Sequence, residues 1–315
     1  MKKAWNNKKV SVKKLGKIGL ALSGGAAKGL GHVGALKALE EVGVRPAVIA
    51  GTSAGAIIGG MYAAGIDTDE LEEIASSMDR TRFRRLLDLT WGRGSLVAGK
   101  KVEEFLRGIL DDKKIEDLPI PFVATAVDIK TGRGFHFTEG SLVDAIRASI
   151  SIPGVFEPVR ANGGLLVDGG VRKNMPLSIL KEYKIKTLIG VDVFPKQQLD
   201  PSWETTRIER NKNEVKKDPF WARIWDRITG EEEETEMNPE AVSLTSLLTQ
   251  IFMIVTTQIS QYEIEYTKPD FLISLNMSDI ALWEFWRGKE AIEIGYRQAK
   301  EKLEGYGFPP PRGRV

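Results

Sequence analysis

Short apolar runs alternate with amphipathic ones through the first half of the chain. Lys17-Ile18-Gly19-Leu20-Ala21-Leu22 reads as a buried strand, and a glycine-rich turn follows it. A helix is expected from about Gly29 to Val42, a second buried strand over Pro46 to Ala50, and a second helix over Ala54 to Ala64. Strand-turn-helix repeated in this order predicts a mainly parallel sheet covered by helices. Further strands are expected at Pro121 to Val127, Gly134 to Phe137, Lys186 to Val193 and Asp270 to Leu275. Pro158 to Ala161 and Leu165 to Val167 flank Asn162-Gly163, which signals a hairpin. A last helix is expected from about Lys289 to Leu303.

Ala241 to Tyr262 contains no charged residue. It carries too many Ser, Thr and Gln side chains for a membrane span, which needs about 20 predominantly apolar residues. Leu244, Leu247, Leu248, Ile251, Val255, Ile259 and Tyr262 recur at helical spacing. The expectation is a long helix whose apolar stripe packs on the protein core. Pro195 to Pro239 differs in composition: it is highly charged, includes Glu231-Glu232-Glu233-Glu234, and reads as an insertion within one domain. Trp221, Ile224, Trp225 and Ile228 share one helical face there. Two readings of that face stand, a membrane-interface or lid helix and tryptophans packed on the domain.

Composition narrows the class. With 315 residues, 42% hydrophobic and 28% charged, the chain is globular. A chain of this length buries roughly three quarters of its unfolded surface. It has no cysteine, which removes disulfides, thiolate metal sites and cysteine nucleophiles and suits a reducing compartment. No signal peptide is read: the apolar run Ile18 to Leu22 is too short, and Gly24-Gly25 ends it. Net charge is only +2, but Met1 to Lys17 carries seven lysines and no acid. Such an arm is a solvated tail, or it touches anionic lipid or nucleic acid. The domain reading is a basic arm at 1–16, one main domain at 17–305 with a charged insertion at about 195–240, and a Pro-rich tail at 306–315.

Candidate chemistry sits at two strand ends. Gly51-Thr52-Ser53-Ala54-Gly55 follows a strand and precedes a helix, the context of a nucleophile elbow, where small neighbours let the serine hydroxyl stand clear. A serine nucleophile needs a base. Neither histidine suits a familiar triad order: His32 precedes Ser53, His136 lies in a strand pattern, and both read as structural or surface residues. Leu165-Leu166-Val167-Asp168-Gly169-Gly170 places a carboxylate at a strand end, where a fixed aspartate can accept a serine proton. Ser23-Gly24-Gly25-Ala26-Ala27-Lys28-Gly29 presents backbone N–H groups at a helix N-terminus, which suits a negative charge, a phosphate or a reaction oxyanion; a purely structural tight turn is the other reading. It fails both nucleotide fingerprints, because Ala26 stands at the second glycine and Lys28 precedes Gly29.

Taken in order, the glycine-rich turn, Gly-x-Ser-x-Gly, Ala148-Ser149-Ile150-Ser151-Ile152-Pro153-Gly154-Val155-Phe156-Glu157-Pro158 and Asp-Gly-Gly resemble the patatin-like phospholipases over about Lys17 to Val193. The Trp283 to Leu303 region resembles bacterial members. The resemblance implies a three-layer α/β/α sandwich and a Ser53-Asp168 dyad. It implies an oxyanion hole at Gly24, Gly25 and Ala26, with Ala26 departing from the usual glycine. Gly29, Gly51, Gly55, Gly169 and Gly170 are the motif glycines. The expected activity is hydrolysis of carboxylic esters of lipids through an acyl-enzyme. No metal or other cofactor is called for, and no nucleic-acid partner is expected. The expected location is cytoplasmic, with peripheral contact at the inner membrane face. An acyltransferase and a non-catalytic membrane-associated protein on the same fold are the alternatives.

Overall fold

The computed structural model describes residues 9–88, 97–161, 163–194 and 244–309. The first half of the basic arm, Asn162 of the hairpin, the charged segment with Trp221 and Trp225, and the end of the Pro-rich tail lie outside the described residues.

Eight strands form one mixed sheet: β1 Ile18–Leu22, β2 Val48–Gly51, β3 Phe122–Asp128, β4 Gly134–Phe137, β5 Val159–Ala161, β6 Gly164–Asp168, β7 Thr187–Asp192 and β8 Phe271–Ser274. Their order is β5-β6-β3-β2-β1-β7-β8, with β4 also paired to β3. The β3-β2-β1-β7-β8 strands are parallel; β4 and β6 each pair antiparallel with β3, and β5 pairs antiparallel with β6. The predicted strands all form, and the β5-β6 hairpin turns through Gly163 at φ 73°. The expected first helix divides. A 3₁₀ turn over Ala26–Leu30 leads into α1, Gly31–Glu41.

Strand alternation separates the two faces of the sheet. Leu20, Leu22, Ile49, Phe122 and Ala124 point into the larger core, under α1, α2 (Ala54–Ala63) and a C-terminal helix. Ala21, Val48, Ala50 and Val123 point the other way, against Met175, Leu177, Ile179 and Leu180. Helical layers therefore lie on both faces of a mostly parallel sheet. Sequence reading had passed over α3 (Thr68–Ser76), α4 (Arg80–Leu86), α5 (Lys100–Leu110), α6 (Leu142–Ser149) and the single turn α7 (Gly170–Lys173). Local capping signals mark two of them. The Asp67 carboxylate accepts the Asp69 and Glu70 N–H groups, and Ser141 Oγ accepts the Asp144 N–H at 3.2 Å.

The long helix α8, Leu244–Thr267, forms as expected but faces the opposite way. Thr249, Thr256, Thr257 and Ser260 are buried, whereas Leu247, Leu248, Ile251, Ile254, Val255, Tyr262 and Tyr266 are exposed. The expectation that the apolar stripe packs on the core is overturned. The physical reason lies in the partner. Asn174 Nδ2 donates to Ser260 Oγ at 2.9 Å, and the Glu263 carboxylate receives both the Ser178 N–H (2.7 Å) and Lys173 Nζ (3.3 Å). These polar groups on and after α7 select the polar side of the helix.

The last helix, α9 (Gly288–Gly305), packs on α1 so closely that a methyl at Gly34 or Gly295 would strike backbone of the other helix. The packed chain extends past the expected domain limits. Val10 and Leu15 are buried, and the Val10 N–H donates to the Gly307 carbonyl at 2.7 Å. Phe271 of β8 joins these ends, edge-on to Tyr306 (5.2 Å) and Phe308 (5.0 Å). We expect Phe271→Ala to cost about 3–5 kcal/mol by transfer and cavity terms, measured by chemical denaturation. A loss below about 1 kcal/mol would show that the site collapses around the missing ring.

Candidate active site

The C-terminal ends of β1, β2 and β6 bring the sequence-predicted residues together. Ser53 follows β2 directly and begins α2 with φ 54° and ψ −120°, a left-handed-side conformation that a non-glycine residue holds only under constraint. Two contacts impose it. The Ser53 N–H donates to Ser149 Oγ at 2.9 Å, and α2 sits against the β1 end. At Gly55 an added methyl would meet the Leu22 and Ser23 carbonyls, so only glycine lets the helix start approach that strand. Gly51 faces the Gly55 carbonyl, and Gly29 faces Ala54.

Asp168 ends β6 and is fully buried. Its Oδ1 accepts the Gly170 N–H at 2.7 Å. Its Oδ2 has no partner of standard hydrogen-bond geometry among the described residues. Burial raises its pKa from 3.8 to about 7, and the Ser53 hydroxyl and the Gly170 N–H offset only part of that rise. The Ser53 hydroxyl thus lies close enough to the carboxylate to oppose the rise, without a hydrogen bond of standard geometry between them. Gly169 packs on Thr125 of β3, where a side chain would not fit, and Gly170 sits under Thr256 of α8.

The segment from Ser149 to Glu157 links the two residues. Besides the Ser149–Ser53 bond, the Ser151 carbonyl accepts the Asp168 N–H at 2.9 Å. Arg147 holds this segment from within. Its guanidinium donates to Ser151 Oγ (2.8 Å), the Ala98 carbonyl (2.6 Å) and the Glu157 carbonyl (3.1 Å). Burial lowers the Arg147 pKa, against the raising fields of Glu103, Asp88 and Glu157.

The glycine-rich turn lies on the other side of Ser53, and its three expected donors divide. The Gly24 N–H is already bonded to the Asn174 carbonyl at 3.1 Å, so Gly24 is a support and not a donor to the cleft. Gly25 and Ala26 line the cleft beside Ser53. Ala26 takes φ 48° despite its methyl. The cleft opens to solvent and is lined further by Ile152, Phe194, Phe252, Met253, Leu282 and Trp283. Its walls are mostly apolar, with a few polar side chains from Ser53, Asn174, Thr249 and Thr256, the usual character of a small-molecule site.

The histidines stand apart from this cleft. His32 is fully buried, and its Nε2 lies 2.8 Å from the Ser23 carbonyl. Desolvation pushes its pKa down to about 4, so it is neutral at ordinary pH and donates to that carbonyl. His136 of β4 is paired opposite Thr125. Lys28, in the turn, has its pKa lowered to about 8 by burial, and its Nζ donates to the Met277 carbonyl at 2.6 Å. Sequence reading missed Asn174, which bonds both the turn and α8. Its one sequence signal is its position shortly after Asp168-Gly169-Gly170. It also missed Phe252, Met253 and Trp283, whose approach to Ser53 depends on tertiary packing alone.

Comparison with known proteins places these features in a family. A patatin-like phospholipase model matches residues 20–181. An NTE family protein of Mycobacterium tuberculosis is 40% identical over 177 residues, covering 56% of this chain and 49% of that protein. Human patatin-like phospholipase domain-containing protein 6 is 29% identical over 306 residues, 95% of this chain and 21% of its own length. Lysophospholipase NTE1 of Eremothecium gossypii is 37% identical over 183 residues, 56% of this chain and 12% of its own length. The chain thus spans half the length, or less, of these curated relatives. Among solved structures, VipD from Legionella pneumophila aligns with a TM-score of 0.45 at 14% identity, covering 93% of this chain and 67% of that one. The glycine-rich turn, the serine elbow and the Asp-Gly-Gly strand end all fall within the matched residues 20–181, more than half of the chain, which belongs to the patatin-like phospholipase family.

Proposed function

We propose that the protein is a serine lipid acyl hydrolase in which Ser53 and Asp168 work as a dyad. The observation that carries this reading is the pairing of a strained, cleft-lining Ser53 with a fully buried carboxylate whose pKa of about 7 responds to the serine hydroxyl. Ser53 Oγ attacks the ester carbonyl carbon as its proton passes to Asp168. The oxyanion lies against the Gly25 and Ala26 N–H groups. The tetrahedral adduct collapses, the alcohol leaves with the proton from Asp168, and an acyl-serine remains. Water then gives a proton to Asp168 and adds to the acyl carbon. Collapse of this second adduct releases the acid and returns the proton to Ser53. No histidine takes part. The apolar cleft suits an acyl chain, and the lysophospholipase among the relatives supports phospholipid or lysophospholipid esters as substrates.

Ser53→Ala and Asp168→Ala are each expected to lower hydrolysis of a short-chain p-nitrophenyl ester by about a thousandfold or more. A fluorophosphonate should add to the wild-type protein at Ser53 and leave Ser53→Ala unlabelled by mass spectrometry. Full activity in either alanine variant would sink the reading.

Only the ionised carboxylate accepts the serine proton. Activity is therefore expected to rise with pH and reach half its plateau near about 7, the Asp168 pKa. A rate independent of pH from about 5 to 9 would contradict Asp168 as the base.

The same carboxylate carries a stability cost with a defined sign. Its folded pKa lies above its unfolded value, so the unfolded chain ionises first and stability falls as pH rises from 3.8 to about 7. Asp168→Asn removes that fall. Its melting temperature relative to the parent should be higher at about pH 8 than at about pH 4, even though activity is lost. An equal difference at both pH values would place the carboxylate in contact with water.

A further inference from the structure

The outward face of α8 carries a continuous apolar stripe. Leu247, Leu248, Ile251, Ile254 and Val255 succeed one another at helical spacing and are 38–47% exposed. A contiguous exposed patch of large apolar side chains marks an interaction surface more often than chance exposure. The opposite side of the same helix turns Thr249, Phe252, Met253 and Thr256 into the cleft that holds Ser53. One helix thickness therefore separates this patch from the candidate nucleophile.

We propose that the outward face of α8 seats the protein on a lipid surface, with the helix lying along the interface. The proposal rests on the reading of the cleft as a lipid ester site. Three observations favour lipid over a protein partner. First, no charged residue occurs from Ala241 to Tyr262: the positions flanking the stripe include Gln250 and Gln261, and the uncharged Gln258 lies on it between Val255 and Tyr262. Helix–helix partners are ordinarily selected by charges at such flanking positions, and none is present here. Second, the stripe ends in Tyr262 and Tyr266, 70% and 81% exposed, with Lys181 Nζ 5.8 Å over the Tyr266 ring and Lys268 just beyond. Tyrosine and lysine at the border of an apolar zone match the transition from acyl chains to headgroups. Third, the patch is continuous with the helix that walls the cleft, so seating it brings the cleft wall to the layer that holds the substrate. Among the described residues no helix is long and apolar enough to cross a membrane, so the helix lies on the surface and does not span it.

The chain has no cysteine, which makes a thiol probe specific. The experiment uses full-length Ser53→Ala protein, which leaves vesicles intact, with Ile251→Cys added. Ile251 is exposed and is not among the cleft-lining residues. Maleimide labelling is followed with and without phosphatidylcholine vesicles, whose neutral headgroups exclude attraction of the basic N-terminal residues. The expected result is rapid labelling in solution and labelling slowed about tenfold or more by vesicles. A control cysteine at exposed Glu301 of α9 should keep its rate. In the Ser53→Ala background, Ile251→Asp should weaken vesicle partitioning by about tenfold or more, since burial of one such side chain is worth that factor. Labelling that vesicles leave unchanged would overturn the proposal. Slow labelling without vesicles at every protein concentration would show the chain's own residues on the face, and slowing that grows with protein concentration would show a second copy. Either result overturns the proposal as well. Because thiol reactivity is read and not ester cleavage, a failure of the Ser53–Asp168 reading leaves this outcome legible.

Discussion

The placement of one carboxylate out of water organises this molecule. Asp168 is fully buried, and one hydrogen bond of standard geometry, from the Gly170 N–H, meets it. A buried charge with so little compensation is costly, and the group answers by raising its pKa. The surrounding elements fix its position. β6 delivers it, Gly169 packs against Thr125, and the Ser151 carbonyl takes its N–H. The same Ser149–Ser151 stretch holds the Ser53 backbone through Ser149 Oγ. Serine and carboxylate therefore share one support. Arg147 fixes that support through three hydrogen-bond acceptors on the segment and on the neighbouring Ala98.

The glycine-rich turn is stabilised by a second set of buried ionisable groups. His32 donates to the Ser23 carbonyl, and Ser23 Oγ accepts the Val193 N–H at 3.1 Å. Asp192 lies beyond, fully buried, its pKa raised to about 6 by desolvation while the Phe194 N–H and Ser23 oppose the shift. Lys28 ties the far end of the turn to the Met277 carbonyl. These side chains hold the backbone of the turn whose Gly25 and Ala26 line the cleft beside Ser53. This arrangement also accounts for the histidine that stands near the serine in sequence. His32 is neutral, and its Nε2 is occupied by the turn.

Much of this was legible in the sequence because it is local. Strand-end glycines, Ser53 within Gly51 to Gly55, and Asp168 before Gly169-Gly170 are short patterns whose steric meaning travels with them. The sheet was legible because a strand buried on both faces is apolar without a break. What escaped is long-range. The Gly24 N–H was expected to face the cleft, but it bonds Asn174, 150 positions away, and no local pattern reports such a bond. The direction of α8 escaped for a different reason. Periodicity shows which residues share a face but not which face turns inward. Leu247, Ile251 and Val255 formed the more apolar stripe and were assigned to the core. Thr249, Thr256 and Ser260 form an equally regular stripe, and they are the ones buried.

That inward stripe behaves as a less polar surface than its composition suggests. Thr256 and Thr257 donate their hydroxyls back to the Met253 carbonyl at 3.1 and 2.9 Å, and the Thr256 methyl faces Gly170. Thr256 Cγ2 lies over Gly170, beside the Asp168 carboxylate, where a cationic or hydrated group would lower the pKa that burial has raised. Small side chains also let the helix backbone come near α7, which a leucine stripe would hold off. The inversion of α8 and the dryness of Asp168 are thus linked. The hydroxyl-bearing stripe packs closely and excludes water from the carboxylate. The large apolar residues of the same helix are left on its outer side.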